Sequence, residues 1–154
     1  MLSKILRKEL ICLDIKSRDK LGAMKEMLEM LEEAGQPRAR IRLLQNLIHR
    51  ESLESTALGE GVALPHCRTN LVDFPIVLLG RSKEGVDFEA PDGRPVHLII
   101  MALIPQTSTV PWLQLMREIA EMVRDKRFMD SIASAKSSEE VLELIAEMER
   151  RLLC

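Results

Sequence analysis

Apolar residues recur along this chain with two spacings, one near 3.6 and one in short unbroken runs, and their alternation outlines helices interleaved with strands. Leu10 to Ile15 carries the apolar positions of a first strand. Asp19 is placed to cap a helix over Lys20 to Ala34, with Leu21, Met24, Leu28 and Leu31 on one face and Gly35 ending it. Pro37 opens a second helix whose buried stripe is Ile41, Leu44, Leu47 and Ile48, with Arg50 near its end. Val62-Ala63-Leu64 reads as a brief buried strand, Ile76-Val77-Leu78-Leu79 as another, and Gly85 to Phe88 as a short third. Pro91-Asp92-Gly93 supplies a turn before Val96 to Ile104, the most strand-like run in the protein. Pro111 opens a helix through about Arg124, with Leu113, Met116, Ile119, Ala120 and Val123 facing inward. A shorter helix over Arg127 to Ala135 follows. Ser137-Ser138-Glu139-Glu140 then provides a capping box for a terminal helix striped by Val141, Leu144, Ile145, Met148 and Leu152.

Strands this apolar, alternating with helices, predict an α/β fold in which one mixed sheet is covered on both faces. The short link at Asp92-Gly93 requires that the sheet is not wholly parallel. With 154 residues, 46% hydrophobic and 30% charged, the chain fits a single domain over residues 1–154. A net charge of −2 argues against nucleic-acid partners, which need a basic excess to neutralise phosphates. Three Phe, one Trp and no Tyr leave little to stack on bases or sugars. No apolar run reaches the ~18 residues of a membrane span, and Lys4, Arg7, Lys8 and Glu9 break up the N-terminus, so neither an anchor nor a secretory signal is expected. Cys12, Cys67 and Cys154 show no C-x-x-C spacing, which predicts neither disulfides nor a zinc site and favours the reducing cytoplasm.

One stretch departs from generic core and loop: Gly59-Glu60-Gly61-Val62-Ala63-Leu64-Pro65-His66-Cys67-Arg68-Thr69. Two glycines within three residues permit positive φ and can leave bare amides as an anion nest, so Gly61 is a candidate phosphate-binding residue. Pro65 biases Leu64 towards an extended conformation and withholds a ladder donor, which puts His66 at a strand end on a rigid mount. Arg68, two residues on, adds a permanent cation whose planar fork suits phosphate. A presented imidazole beside a nest and an arginine points to phosphoryl chemistry on nitrogen. Neutral imidazole is nucleophilic near pH 7, the N–P bond it forms is labile, and no metal or cofactor is required.

These residues carry a resemblance. Arg50-Glu51, Ser55-Thr56 and G-E-G-V-A-L-P-H-C-R are similar to the active-site signature of the fructose/mannitol-type (type 2) enzyme IIA domain of the bacterial phosphoenolpyruvate-dependent sugar phosphotransferase system, with nitrogen-regulatory IIA proteins as nearest cousins. An L-S-x-I-L opening, the D-F-x-A-x-D-G-x-P-V block from Asp87 to Val96 and a final S-x-E-E-V extend the likeness over nearly the whole chain. The resemblance implies that His66 accepts a phosphoryl group from a histidine phosphocarrier protein and that Arg50 and Arg68 line its site. It also implies onward partners: a permease IIB domain, or a regulated transporter or kinase. Two positions depart from the pattern. Cys67 stands where glycine is usual, and Trp112 stands where a second histidine commonly opens the following helix, so both are expected to modulate the site.

Blander roles compete for several residues. His49, on the second helix, and His97, inside an apolar strand, read as solvated or structural. Cys67 is adjacent to His66, and on an extended chain the two point to opposite sides, so a Cys-His pair is not expected. Two functions are therefore open. In one the chain is a phosphohistidine carrier, with a regulatory role suggested by the absence of a fused permease. In the other it is a IIA-like module that binds partner proteins with little or no phosphotransfer.

Overall fold

The computed structural model describes residues 1–35, 39–109 and 111–153. Pro37, expected to open the second helix, and Cys154 lie outside them. Six strands form one sheet: β1 (Ile11–Cys12), β2 (Ala57–Gly59), β3 (Val62–Ala63), β4 (His66–Thr69), β5 (Ile76–Val86) and β6 (Val96–Pro105). The order is β1-β5-β6-β3-β2, with β4 also on β6. β5 and β6 are antiparallel, whereas β1 runs parallel to β5, and β3 and β4 run parallel to β6. The sheet is mixed, as the Asp92-Gly93 turn required. Gly93 has φ 70°, and its amide donates to the Ala90 carbonyl at 2.9 Å.

Helices α1 (Leu2–Ile5), α2 (Lys20–Glu33), α3 (Arg40–Leu53), α4 (Trp112–Arg124), α5 (Lys126–Ser134) and α6 (Ser138–Leu153) cover the two faces. The sheet sorts its apolar residues by parity: Ile99, Met101 and Leu103 of β6 join the core under α2 and α3, and Leu98, Ile100, Ala102 and Ile104 join the core under α4 to α6. That two-sided burial is why the run is continuously apolar. Close approach of α2 needs Gly80, where a Cβ would lie 2.9 Å from Ile15 and 3.1 Å from the Met27 sulfur.

Local signals held at the caps. Asp19 accepts from the Gly22 amide at 2.7 Å, and Ser137 accepts from the Glu140 amide at 3.1 Å. The capping box is only half reciprocal, because Glu140 reaches the Lys136 amide instead of that of Ser137.

Several expectations need correction. The first strand is limited to two residues, with Leu10 in a 3₁₀ turn. The separate strand at Gly85–Phe88 does not exist: β5 runs unbroken through the polar Ser82-Lys83-Glu84 to Val86, which pairs with Val96. Helix faces are rotated. Leu21 is exposed and Met27 buried in α2; Leu43 and Leu47 face inward in α3 while Ile41 and Ile48 face solvent. In α4 the buried residues are Leu115, Ile119 and Met122, and Leu113 is 78% exposed. Leu152 of α6 is exposed too. The N-terminus, for which no element was predicted, forms α1, whose Leu2 is fully buried and whose Ser3 donates amide and hydroxyl to Glu149.

Candidate functional site

β3 and β4 keep one register against β6, with Ala63 opposite Ile99 and His66 opposite Ala102. They are a single strand interrupted at Leu64-Pro65. Pro65 has no amide to give the ladder, but its carbonyl accepts from the Ala102 amide at 3.0 Å. His66 therefore stands at a strand end, as the first residue of β4 at its break from β3. The interruption frees the Leu64 carbonyl for the His66 ring, whose Nδ1 lies 2.7 Å away. A carbonyl can only accept, so Nδ1 carries the proton and Nε2 carries the lone pair.

Strand alternation distributes the neighbours. Arg68 shares a side with His66 and is exposed, and its side chain makes no ion pair or hydrogen bond with another described residue. Cys67 points the other way into the core under α2 and α3, and burial pushes its thiol up to about 12. It is an inert thiol, and no Cys-His pair forms.

Trp112, the first residue of α4, packs on the histidine with ring centroids 5.0 Å apart and planes at 51°. The helix start has Pro111 at its cap, a residue that gives no side-chain hydrogen bond to the first turn. From the other side, α3 brings Arg50, whose Nη1 donates to the Glu54 carbonyl at 2.9 Å. Burial, the largest influence, holds the His66 pKa below its ordinary value. Leu64 raises it, the Arg50 guanidinium lowers it and the Glu51 carboxylate raises it. The ring is thus neutral at pH 7, with one nitrogen available.

Gly61 is not part of this arrangement. Its φ of 86° fits the turn between β2 and β3, and its carbonyl accepts from the His97 and Leu98 amides. At strand rise the five residues to His66 span about 16 Å. The nest is also filled: the Glu60 amide binds Asp92 at 2.8 Å. Glycines at that spacing made the concavity, and the Asp87–Val96 block supplied its own anion. His97 is tied by Nδ1 to the Ser82 carbonyl at 2.8 Å, a structural contact, and His49 is exposed.

Sequence reasoning assigned no role to Glu51. Its side chain is only 5% exposed, accepts from the Thr56 amide at 2.9 Å and hydroxyl at 2.6 Å, and has Lys20 Nζ 3.8 Å away. The only available signal was its place in the Arg50-Glu51 and Ser55-Thr56 signature. Among the described residues no group of three or more His, Cys, Asp or Glu side chains is placed to hold a metal, and no helix is long and apolar enough to cross a membrane.

Residues 4–148 match the family described as "Phosphoenolpyruvate-dependent sugar phosphotransferase system, EIIA 2". The chain is 31% identical over 147 residues to the fructose-specific EIIA component of Haloferax volcanii, covering 96% of each. It is 30% identical over 149 residues to the fructose-specific EIIABC component of Bacillus subtilis; that match takes in 97% of the chain but only 24% of that protein's length. The crystal structure of nitrogen regulatory protein IIA-Ntr from Neisseria meningitidis superposes with a TM-score of 0.86 at 33% identity, covering 94% of this chain and 98% of that one. The Escherichia coli mannitol IIA, solved in complex with phosphorylated mannitol IIB, superposes at 0.76 with 27% identity, covering 92% and 97%.

Proposed function

This chain belongs to the EIIA 2 family of the phosphoenolpyruvate-dependent sugar phosphotransferase system, and on that footing we propose that His66 Nε2 takes a phosphoryl group from a histidine phosphocarrier protein and passes it on, in a regulatory role of the nitrogen type. The observation that carries this reading is the Nδ1 contact with the Leu64 carbonyl, because it points the lone pair of Nε2 outward. In the transfer, Nε2 attacks phosphorus in line, and the bond from phosphorus to the donor's ring nitrogen breaks with its electron pair returning to that ring. Nδ1 keeps its proton against Leu64, so the positive charge of the new phosphoimidazolium has an acceptor beside it. That charge also keeps the N–P bond labile for the onward step. Arg68, Arg50 and the amide end of α4, which has Pro111 at its cap, suit the equatorial oxygens.

Onward partners follow from kinship. The mannitol IIA of E. coli was solved with a phosphorylated IIB, and a IIB domain or a regulated transporter or kinase is the corresponding acceptor here, in the cytoplasm. Incubation with phosphoenolpyruvate, enzyme I and the phosphocarrier should add one acid-labile phosphoryl group by intact mass. His66→Ala should add none, and a label surviving in it refutes the assignment.

Packing of Trp112 on His66 supports a second reading, a partner-binding module with little phosphotransfer. Indole donates one hydrogen bond and accepts none, so it cannot shuttle a proton as a histidine would. No labelling of wild type or of Trp112→His would favour the module.

A further inference from the structure

The phosphoacceptor is held by a chain of contacts that starts at a buried carboxylate on another element. Glu51 of α3 accepts from both the amide and the hydroxyl of Thr56. The Thr56 carbonyl accepts from the Leu64 amide at 3.0 Å, and the Leu64 carbonyl faces His66 Nδ1 at 2.7 Å. Each link is backbone or buried, so rotating one plane moves the next. Leu64 lies in the interruption between β3 and β4, and its amide continues the β2–β3 pairing onto Thr56, while Pro65 beside it faces β6. The Leu64 amide, held by Thr56, and the Pro65 carbonyl, held by the Ala102 amide, bracket the Leu64 carbonyl that faces the ring, and Thr56 is the one of these anchors that a buried side chain fixes.

We infer that Glu51 is the positioning residue of the phosphoacceptor: through Thr56 and Leu64 it fixes the Nδ1–H tautomer of His66 and the direction in which Nε2 points. The inference rests on the phosphoacceptor reading of His66 for its purpose, although not for its test. Glu51 touches no reacting atom. A carboxylate suits the task because it accepts two hydrogen bonds at once from one residue, amide and hydroxyl together, and Lys20 offsets its buried charge. A carboxylate there for stability alone would leave the ring tautomer indifferent to its removal.

The test is imidazole ¹⁵N NMR of the full chain above pH 8, where His66 is neutral, paired with labelling by phosphoramidate, a small donor that needs no partner protein. Wild type should show Nδ1 protonated and Nε2 bare. Glu51→Ala and Thr56→Val should each give mixed tautomers and label at least tenfold more slowly. Glu51→Gln, whose amide oxygen still accepts from the Thr56 amide and whose NH2 can donate to the Thr56 hydroxyl, retains both contacts and should keep the wild-type tautomer and lose less than threefold in rate. A folded Glu51→Ala or Thr56→Val with wild-type tautomer overturns the inference, as does a wild type protonated on Nε2. If Glu51→Ala does not fold, the near-isosteric Thr56→Val decides. Should wild type show the expected tautomer yet take phosphate from neither phosphoramidate nor the protein donor, the phosphocarrier reading fails, while the tautomer comparison still judges Glu51.

Discussion

The two sides of β4 put adjacent residues in opposite chemical states. On one, Cys67 and Thr69 are sealed against the α2–α3 core, and the thiol is pushed so far up that it stays protonated. On the other, His66 and Arg68 face the start of α4, half-buried and exposed respectively, and the ring is kept neutral with one nitrogen free. Burial acts in both places and favours the uncharged form each time. For a thiol the uncharged form is the unreactive one, whereas for an imidazole it is the nucleophile. The same desolvation therefore silences Cys67 and arms His66.

The sharpest way to break this contrast is to delete each side chain in turn. His66→Ala should abolish labelling. Cys67→Ala should leave the labelling rate within about twofold and cost about 1 kcal/mol of stability, the usual size for a modest core truncation, readable as a lower denaturation midpoint. Normal labelling lost in Cys67→Ala without unfolding would show that the two sides are not independent.

Next in size is Arg68→Met. Loss of one charge-assisted contact to phosphate is worth about 1.5–3 kcal/mol, or roughly 10- to 150-fold in the equilibrium for the phosphorylated form. Because Arg68 is exposed and unpaired among the described residues, the melting temperature should barely move. Normal labelling with strong destabilisation would make Arg68 structural.

Trp112→His should speed transfer at least tenfold in a rapid-quench comparison, since acid–base groups contribute about 10²- to 10⁴-fold where they take part. No gain would show that the apolar wall costs nothing. The smallest effect concerns pH. With the His66 pKa lowered chiefly by burial, the labelling rate with phosphoramidate should hold as pH falls and drop only below the ordinary value of about 6.5. Arg50→Gln removes a nearby cation, so its midpoint should lie higher than that of wild type. A midpoint that moves down would place Arg50 outside electrostatic reach.

How legible this was differs by element. The Asp19 cap, the Asp92-Gly93 turn and the strand run at Val96 are local, set by hydrogen-bond chemistry and φ preferences that neighbours in sequence carry. The α3 and α4 faces were misread because both helices carry apolar residues around more than one side. Ile41, Leu44 and Ile48 form as regular a stripe as Leu43 and Leu47, and only the position of the sheet decides which is buried. The polar Ser82-Lys83-Glu84 gives no strand signal of its own; pairing of Val86 with Val96 carries β5 through it.

The presentation of His66 was written in the sequence, because Pro65 acts on the histidine through a few covalent bonds, whereas the lowering of its pKa was not, since burial is the largest cause. The opposition of His66 and Cys67 was written there too, and follows from the two-residue period of any strand. Tertiary structure alone decided that Trp112 meets the ring, that the Gly61 turn lies at the far end of the strand with Asp92 in its nest, and that Glu51 supports His66 through Thr56 and Leu64. Each of those contacts joins separate elements, and its existence depends on how α3, α4 and the β5–β6 turn dock on the sheet, a quantity that no stretch of sequence encodes by itself.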